Sequence, residues 1–344
     1  MERDAPRRAS QPLAKSEQAH SRGGPCRTTI LFYIFCIARE TRIQWRLSDS
    51  VPLQRGPLTQ DYRGRYQLQM QRLDADVALI TGGGRGLGRA FAVALAKNGM
   101  HVAVAARSTD QLEETVRCIR AEGLAAIAVP TDITDAAAVR AMVETVETQL
   151  GPVDLLVNCA GAGPPFGPTW EQDASEWWRT LETNLKGPLL CSNAVLRGMT
   201  ARRRGRIVNV ASGAGIRSIP YMSAYVTSKA ALIRLTEVLA DEVRPYGVSI
   251  FAIQPGTVRT AMAEELLQSE TGKQWLPWFQ KIFDEGRDDP PEAGAKLVLY
   301  LASGAADALS GRFFAAPGSP ADIDGRADEI LRRDLHVLRV RFLD

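Results

Sequence analysis

Histidine is scarce in this chain: His20, His101 and His336 are the three in 344 residues, and they lie far apart. That scarcity argues against a histidine-based metal centre and against a serine–histidine triad. Cysteine is sparse as well. Cys26, Cys36, Cys118, Cys159 and Cys191 are odd in number and lack the spacing of a zinc site or a disulfide framework. They read as reduced, mostly buried thiols, which suits a cytoplasmic protein. The one apolar run of the first 69 residues, Thr28 to Ala38, is about half the ~20 residues of a spanning helix, so no membrane span is expected. A net charge of +3 is too small to argue for nucleic acid or an anionic membrane, and no basic stretch interleaved with aromatics appears.

What is present divides unevenly. Residues 1–69 are polar and arginine-rich, without sustained periodicity, and carry twelve Lys or Arg against six Asp or Glu. Their net of +6 leaves −3 on residues 70–344. Residues 1–69 are expected to be a disordered or non-native extension, with the domain opening at Met70 in MQRLDADVALITGG. A targeting segment is the rival reading, weakened by Glu2, Asp4 and Glu17 because transit peptides avoid acids. A third is a peripheral membrane or partner-binding element on Thr28 to Ala38, which would change location and leave the chemistry alone.

From Val77 onward, short apolar runs alternate with longer amphipathic stretches. Segments 77–81, 101–106, 125–129, 153–157, 206–210, 248–253 and 312–315 read as strands. Segments 86–98, 109–122, 135–150, 174–203, 223–245 and 291–302 read as helices. This alternation predicts an α/β fold of one domain, 70–344, with a doubly wound, seven-stranded, mainly parallel sheet covered on both faces. Ligands of such sheets sit at the carboxyl ends of the strands.

The organising stretch is Thr81-Gly82-Gly83-Gly84-Arg85-Gly86-Leu87-Gly88, between the first strand and a small-residue helix. Strand, glycine loop and helix together point to a nucleotide site, because glycines let the backbone approach a pyrophosphate and the helix amides hold the anion. After the second strand, Ala106 offers no carboxylate for ribose hydroxyls, while Arg107 and Arg85 offer donors suited to a 2′-phosphate. NADP(H) is therefore expected over NAD(H); two solvated arginines are the plain alternative. Asp132, past the third strand, is placed either for an adenine edge or for a local turn, and Asp135 or Thr134 is the expected cap of the next helix. The fourth strand ends Asn158-Cys159-Ala160-Gly161, whose small residues admit a ribose and whose Asn158 can tie strand ends together.

The most specific signal follows the fifth strand. Ser212 stands at its end, and thirteen residues later Tyr225 and Lys229 lie at i and i+4 on one helix face. Tyrosine, with pKa ~10, is a poor base at neutral pH, and a nearby ammonium is expected to lower it toward a useful range. Taken singly the pair is commonplace. Joined to the glycine loop and the Asn-x-Ala-Gly strand end, it is not.

On these motifs residues 75–318 resemble the short-chain dehydrogenase/reductase family in its single-domain, Rossmann-type form. Thr81, Gly82, Gly86 and Gly88 match its Thr-Gly-x-x-x-Gly-x-Gly motif; Asn158, Ala160 and Gly161 match its Asn-Asn-Ala-Gly element, with Cys159 in place of the second Asn. Asn184, Ser212, Tyr225 and Lys229 match the catalytic set, and Pro255-Gly256-Thr257-Val258-Arg259-Thr260 matches the Pro-Gly segment. The resemblance implies hydride transfer between NAD(P)H and a small-molecule carbonyl or alcohol, with Asn184 anchoring a proton-relay water. Implied cofactor contacts are Thr81, Gly82, Arg85, Gly86, Leu87, Gly88, Arg107, Asp132, Ile133, Asn158, Ala160, Gly161, Pro255, Gly256, Val258 and Thr260, with Tyr225 and Lys229. It also implies a homodimer or homotetramer joined through 174–203 and 223–245.

Substrate choice is expected from Trp275, Trp278, Phe279 and Phe283, whose rings suit a bulky apolar or aromatic ligand, with Phe166 on a second wall; ordinary packing is the alternative. Trp177 and Trp178 cannot share a helix face, so at least one is expected to pack. The tail 319–344 reads as helix-like over Ala327 to Leu335 and β-like over Val337 to Phe342, either covering the substrate mouth or crossing a subunit interface. Rival functions are a 3-oxoacyl thioester reductase and a non-catalytic NADP-sensing regulator.

Overall fold

The computed structural model describes residues 76–316, 318 and 320–340. The expectations for residues 1–69, the opening at Met70 and Thr28 to Ala38 lie outside the described residues. The seven apolar runs form β1 (Val77–Thr81), β2 (His101–Ala106), β3 (Ala126–Pro130), β4 (Leu155–Asn158), β5 (Gly205–Val210), β6 (Val248–Gln254) and β7 (Phe313–Ala315). They pair in the order β3-β2-β1-β4-β5-β6-β7, and every pairing is parallel, beyond the mainly parallel sheet expected.

Strand pleating sorts the core into two layers. Ala78, Ile80, Val102, Val104, Leu155, Val157, Val208, Phe251 and Ile253 face one side. There they meet α1 (Gly86–Lys97), α2 (Thr109–Arg120) and, further along the chain, the helix of Pro291–Ala302. Their neighbours Val77, Leu79, Ala103, Ala105, Leu156, Ile207 and Ile250 face the other. That side is covered by α3 (Ala136–Leu150), whose cap is Asp135, accepting from the Ala137 and Ala138 amides.

The expected helix 174–203 is interrupted. It comprises α4 (Ala174–Leu181), a π-turn at Glu182–Lys186, and α5 (Gly187–Arg202). Pro188 has no N–H to give the Asn184 carbonyl four residues back, so a continuous α-helical ladder fails at this point. Next come α6 (Ser223–Val243), then α7 (Ala261–Gln268), α8 (Glu270–Trp275), α9 (Pro277–Asp284) and α10 (Pro291–Ala302), and finally α11 (Pro320–Asp324) and α12 (Ala327–Arg332). Trp177 is half-buried and donates to Ser223 Oγ at 3.0 Å, while Trp178 is exposed.

The tail corrects one expectation. Residues 337–340 form no strand; the chain instead lies along β7, where the Phe313 amide donates to the His336 carbonyl at 2.8 Å and Arg312 holds Asp334. Two residues with positive φ, Asp334 and His336, bend the backbone away from a ladder. Residues 341 and 342 lie outside the described residues. Among the described residues no helix is long and apolar enough to cross a membrane.

Two glycines permit the central junction. Gly82, at φ +69°, brings the end of β1 so close to the end of β4 that an added Cβ would lie 2.8 Å from Ala160 Cα. A Cβ on Gly88 would lie 2.3 Å from the Gly82 carbonyl oxygen, so α1 packs directly on the loop. Gly88→Ala is expected to destabilise the fold by about 1–3 kcal/mol through overpacking against backbone that cannot yield. Urea unfolding of the variant beside wild type measures it, and an unchanged midpoint would contradict this account.

Candidate active site

β1 lies between β2 and β4, so the chain leaves this point of the sheet in both directions and a crevice opens above the strand ends. On the crevice floor, Thr81 Oγ1 accepts from the Cys159 and Ala160 amides, both at 3.1 Å, and locks the two strand ends together. Asn158 Nδ2 donates to Asn209 Oδ1 at 2.8 Å and to Ser192 at 3.3 Å; Asn209 passes the chain on to Thr236 at 2.9 Å. Asn158 thus ties β4 to β5, as its position suggested.

The glycine loop is braced from behind by Arg89, whose guanidinium donates to the Gly84 carbonyl at 2.6 Å and to both oxygens of Glu114 at 3.0 Å. Arg85 stands at the N-cap of α1 without a side-chain cap bond, so the first amides of the helix face the crevice without a capping acceptor. Beside them runs a cleft of about 370 Å³ whose lining includes Gly86, Val258, Thr260 and Asp289. An uncapped 12-residue helix terminus and a cleft joining the glycine loop to the Pro-Gly segment fit a phosphate-bearing dinucleotide.

The residues read for the adenosine end sit farther along the same edge, past β2 and β3. Arg107 is exposed; Arg85 forms a loose ion pair with Glu265 at 3.7 Å. Asp132 Oδ1 accepts from the Thr134 amide and hydroxyl at 2.9 and 2.8 Å, so it makes the local turn. Those two bonds hold its carboxyl below the usual range, with smaller help from Arg107. Ile133 is buried against the start of α5, where a Cβ on Gly187 would meet its Cδ1 at 2.4 Å, so its side chain serves packing.

Ser212, Tyr225, Lys229 and Asn184 converge at the ends of β4 and β5. Lys229 is 4% exposed and donates to the Val210 carbonyl at 2.8 Å. Its Nζ lies 5.5 Å from the Tyr225 ring centroid. Burial depresses the ammonium to about 8, opposed by Cys159. Burial likewise pushes the Tyr225 hydroxyl up; its hydrogen bond with Ser212 pulls it down and Cys159 adds to the rise. The expected lowering of Tyr225 by Lys229 is therefore not met: loss of water around the phenolate dominates, and what opposes it is the Ser212 hydrogen bond. Burial also drives the Cys159 thiol to about 12, which leaves it protonated and unreactive at neutral pH.

Asn184 sits on the π-turn. Its Oδ1 accepts from the Ala162 amide at 2.8 Å, and its Nδ2 donates to the Ala162 carbonyl at 3.0 Å and Ser228 Oγ at 3.1 Å. The side chain thus fastens the loop after β4. A side chain on Gly161 would enter a space bordered by Asn184 Oδ1, Lys229 Nζ and Met262 Cε.

The substrate side differs from the four-aromatic wall that was expected. Trp275 packs on the Tyr221 ring at 4.6 Å between centroids and against Gly167. Phe279 packs on Trp278 and Phe283, and Arg259 lies over Phe283. Tyr221, four residues before Tyr225, has φ +68°, uncommon for an aromatic residue, and accepts from the Gly167 amide at 3.1 Å.

Sequence reasoning missed Ser228, Thr236, Met262, Tyr221 and Asp289. Ser228 carried a signal: three residues after Tyr225, it lies on the same helix face. The others owe their place to loops and distant helices and carried none.

The family model for short chain dehydrogenase matches residues 76–271. The 2-(S)-hydroxypropyl-CoM dehydrogenase 3 of Xanthobacter autotrophicus is 36% identical over 248 residues, covering 72% of this chain and 97% of its own. The 2,3-dihydro-2,3-dihydroxybenzoate dehydrogenase of Bacillus subtilis is 34% identical, covering 68% and 91%. Among solved structures, a variant of actinorhodin polyketide ketoreductase with NADPH superposes with a TM-score of 0.64 at 32% identity, covering 71% of this chain and 96% of that one. Levodione reductase superposes with a TM-score of 0.65 at 31% identity, covering 70% and 95%. With its parallel sheet, glycine loop and buried Lys229 beside half-buried Tyr225, this chain belongs to the short-chain dehydrogenase family and is an oxidoreductase of that family.

Proposed function

We propose that the chain is an NADP(H)-dependent reductase of small apolar or aromatic carbonyl compounds, working in reverse on the matching alcohols. The observation that carries the reading is the convergence of Ser212, Tyr225, Lys229 and Asn184 beside the dinucleotide crevice. When bound, the nicotinamide cofactor supplies or takes up the hydride. Ser212 and Tyr225 hydrogen-bond the carbonyl oxygen and stabilise the charge that develops on it. The raised affinity of Tyr225 for its proton keeps the hydroxyl intact at neutral pH, which suits a general acid. Lys229 holds the nicotinamide ribose, and the space beside Gly161, between Lys229 and Asn184, takes the water through which the proton is replaced.

Preference for NADP(H) follows from Ala106, which offers no carboxylate to repel a 2′-phosphate, and from exposed Arg107 beside it. Tyr221 and Trp275 offer ring surface on the substrate side, which favours flat apolar ketones. A 3-oxoacyl thioester is the second reading, favoured by the likeness to the polyketide ketoreductase. A sensing role without chemistry gains nothing from a proton donor set beside a buried lysine. We place the enzyme in the cytoplasm as a homodimer or homotetramer, joined through α4–α5 and α6.

Three outcomes are expected. NADPH consumption against a panel of ketones, aldehydes and quinones reveals turnover, and Tyr225→Phe lowers it by at least ~10²-fold; equal rates in both proteins would refute the chemistry. Arg107→Ala weakens NADPH binding by about tenfold and leaves NADH binding unchanged, read by calorimetry. The third concerns pH. Lys229 loses its proton near 8 in the fold, against 10.5 ordinarily, so between these values the unfolded chain binds more protons and stability rises with pH. Relative to Lys229→Met, wild type should therefore gain on the order of 1–3 kcal/mol between pH 7.5 and pH 10.5 in urea unfolding. Parallel curves would show that the ammonium is not strained by burial.

A further inference from the structure

Residues 258–288 leave the end of β6 as one long excursion carrying α7, α8 and α9, and return at the start of α10. Its two ends meet at a neck. The Thr257 amide donates to Asp289 Oδ2 at 2.7 Å, and the Asp289 amide donates to the Thr257 carbonyl at 2.7 Å. Gly256, at φ +99°, lets the strands of the neck close: a Cβ there would stand 2.8 Å from Asp289 Cβ. Pro290 follows Asp289 and restricts it to extended backbone, which aims its side chain across the neck. Beneath, a Cβ on Gly294 of α10 would lie 2.9 Å from the Pro255 carbonyl oxygen, so the sheet side of the neck is wedged against a helix.

This neck is next to the cofactor cleft. Val258 and Thr260, the first residues beyond it, line the cleft with Gly86, and Asp289 lines it too. The excursion is secured locally elsewhere, since Thr260 caps α7 and Ser269 caps α8. Those caps hold individual helices and leave the direction of the Val258–Thr260 strip to the neck. A carboxylate accepting a backbone N–H is stronger than a neutral acceptor, and its loss leaves the half-buried Thr257 amide without its acceptor.

We infer that Asp289 is a positioning residue: its carboxylate latches the neck of the 258–288 excursion and so presents Val258–Thr260 to the bound dinucleotide. The ligand in this statement rests on the proposed NADP(H) reading; the latch does not. Asp289→Asn keeps an oxygen acceptor and removes the charge, whereas Asp289→Ala removes the acceptor.

Two readouts on the full chain test it. Limited proteolysis of the free protein reports opening of residues 258–288, and calorimetry reports the Kd for NADPH. In Asp289→Ala, cleavage within 258–288 should accelerate at least ~5-fold with little change in Tm, since local opening precedes global unfolding. Its Kd for NADPH should rise about tenfold or more. Asp289→Asn should be clearly less impaired than Asp289→Ala on both readouts, because a neutral acceptor, weaker than the carboxylate, is retained. An Asp289→Ala protein that binds and resists cleavage like wild type overturns the inference, as does an Asp289→Asn protein as impaired as Asp289→Ala. Should Asp289→Ala fail to fold, Asp289→Glu, which displaces the acceptor by one methylene, takes its place. If wild type itself does not bind NADPH, the proposed function fails, and the proteolysis comparison alone decides the latch.

Discussion

The close approach of two backbones at the reversal of strand order is the constraint on which the rest depends. Gly82 meets Ala160 at a distance no side chain permits, and Thr81 Oγ1 holds the Cys159 and Ala160 amides. That junction fixes β1 against β4 in height as well as register. The glycine loop and the loop at Gly161 therefore open on the same crevice. Gly88 then seats α1 on the loop, which aims the helix terminus into it. The glycine loop and the proposed proton-transfer residues thus share one foundation.

Around this junction the molecule buries polar side chains that bond to one another, although Asn158 Oδ1 has no hydrogen-bond partner among the described residues. Asn158, Asn209 and Thr236 form a relay from β4 through β5 to α6, and Asn184 pins Ala162 and Ser228. Unpaired, such groups would cost more than they contribute; paired, they specify one arrangement of strand ends. Lys229 is the costly member. Its ammonium has one carbonyl partner and almost no exposure, and its proton is correspondingly loosely held. Tyr225 shows the opposite sign for the same reason, because burial disfavours whichever form is charged. A buried cation beside a neutral phenol suits the proton donation proposed for Tyr225.

The scaffold is shared closely with relatives that handle chemically different substrates, which fits a division of labour between sheet and excursion. The sheet edge carries Tyr225, the proposed proton donor, and the uncapped terminus of α1. The 258–288 excursion supplies Trp275 to the substrate side and Val258 and Thr260 to the cleft. Substrate preference can change there without disturbing the junction at Gly82, because the excursion joins the core through a narrow neck.

The sequence by itself determined the strands, most helices, the parallel sheet and the pairing of Tyr225 with Lys229, because these rest on local periodicity and short spacings. Alternate residues of the buried strands face the two helical layers, and the i, i+4 spacing sets Tyr225 beside Lys229 with no knowledge of the remainder. Tertiary structure decided what depends on distant partners. It packed Ile133 against the start of α5 and laid the tail along β7. It also set the sign of the Tyr225 shift, since dehydration is a property of the surrounding fold, whereas the nearby cation is visible in the spacing. Asp289 reaches Thr257 across 32 residues, and no periodicity extends that far.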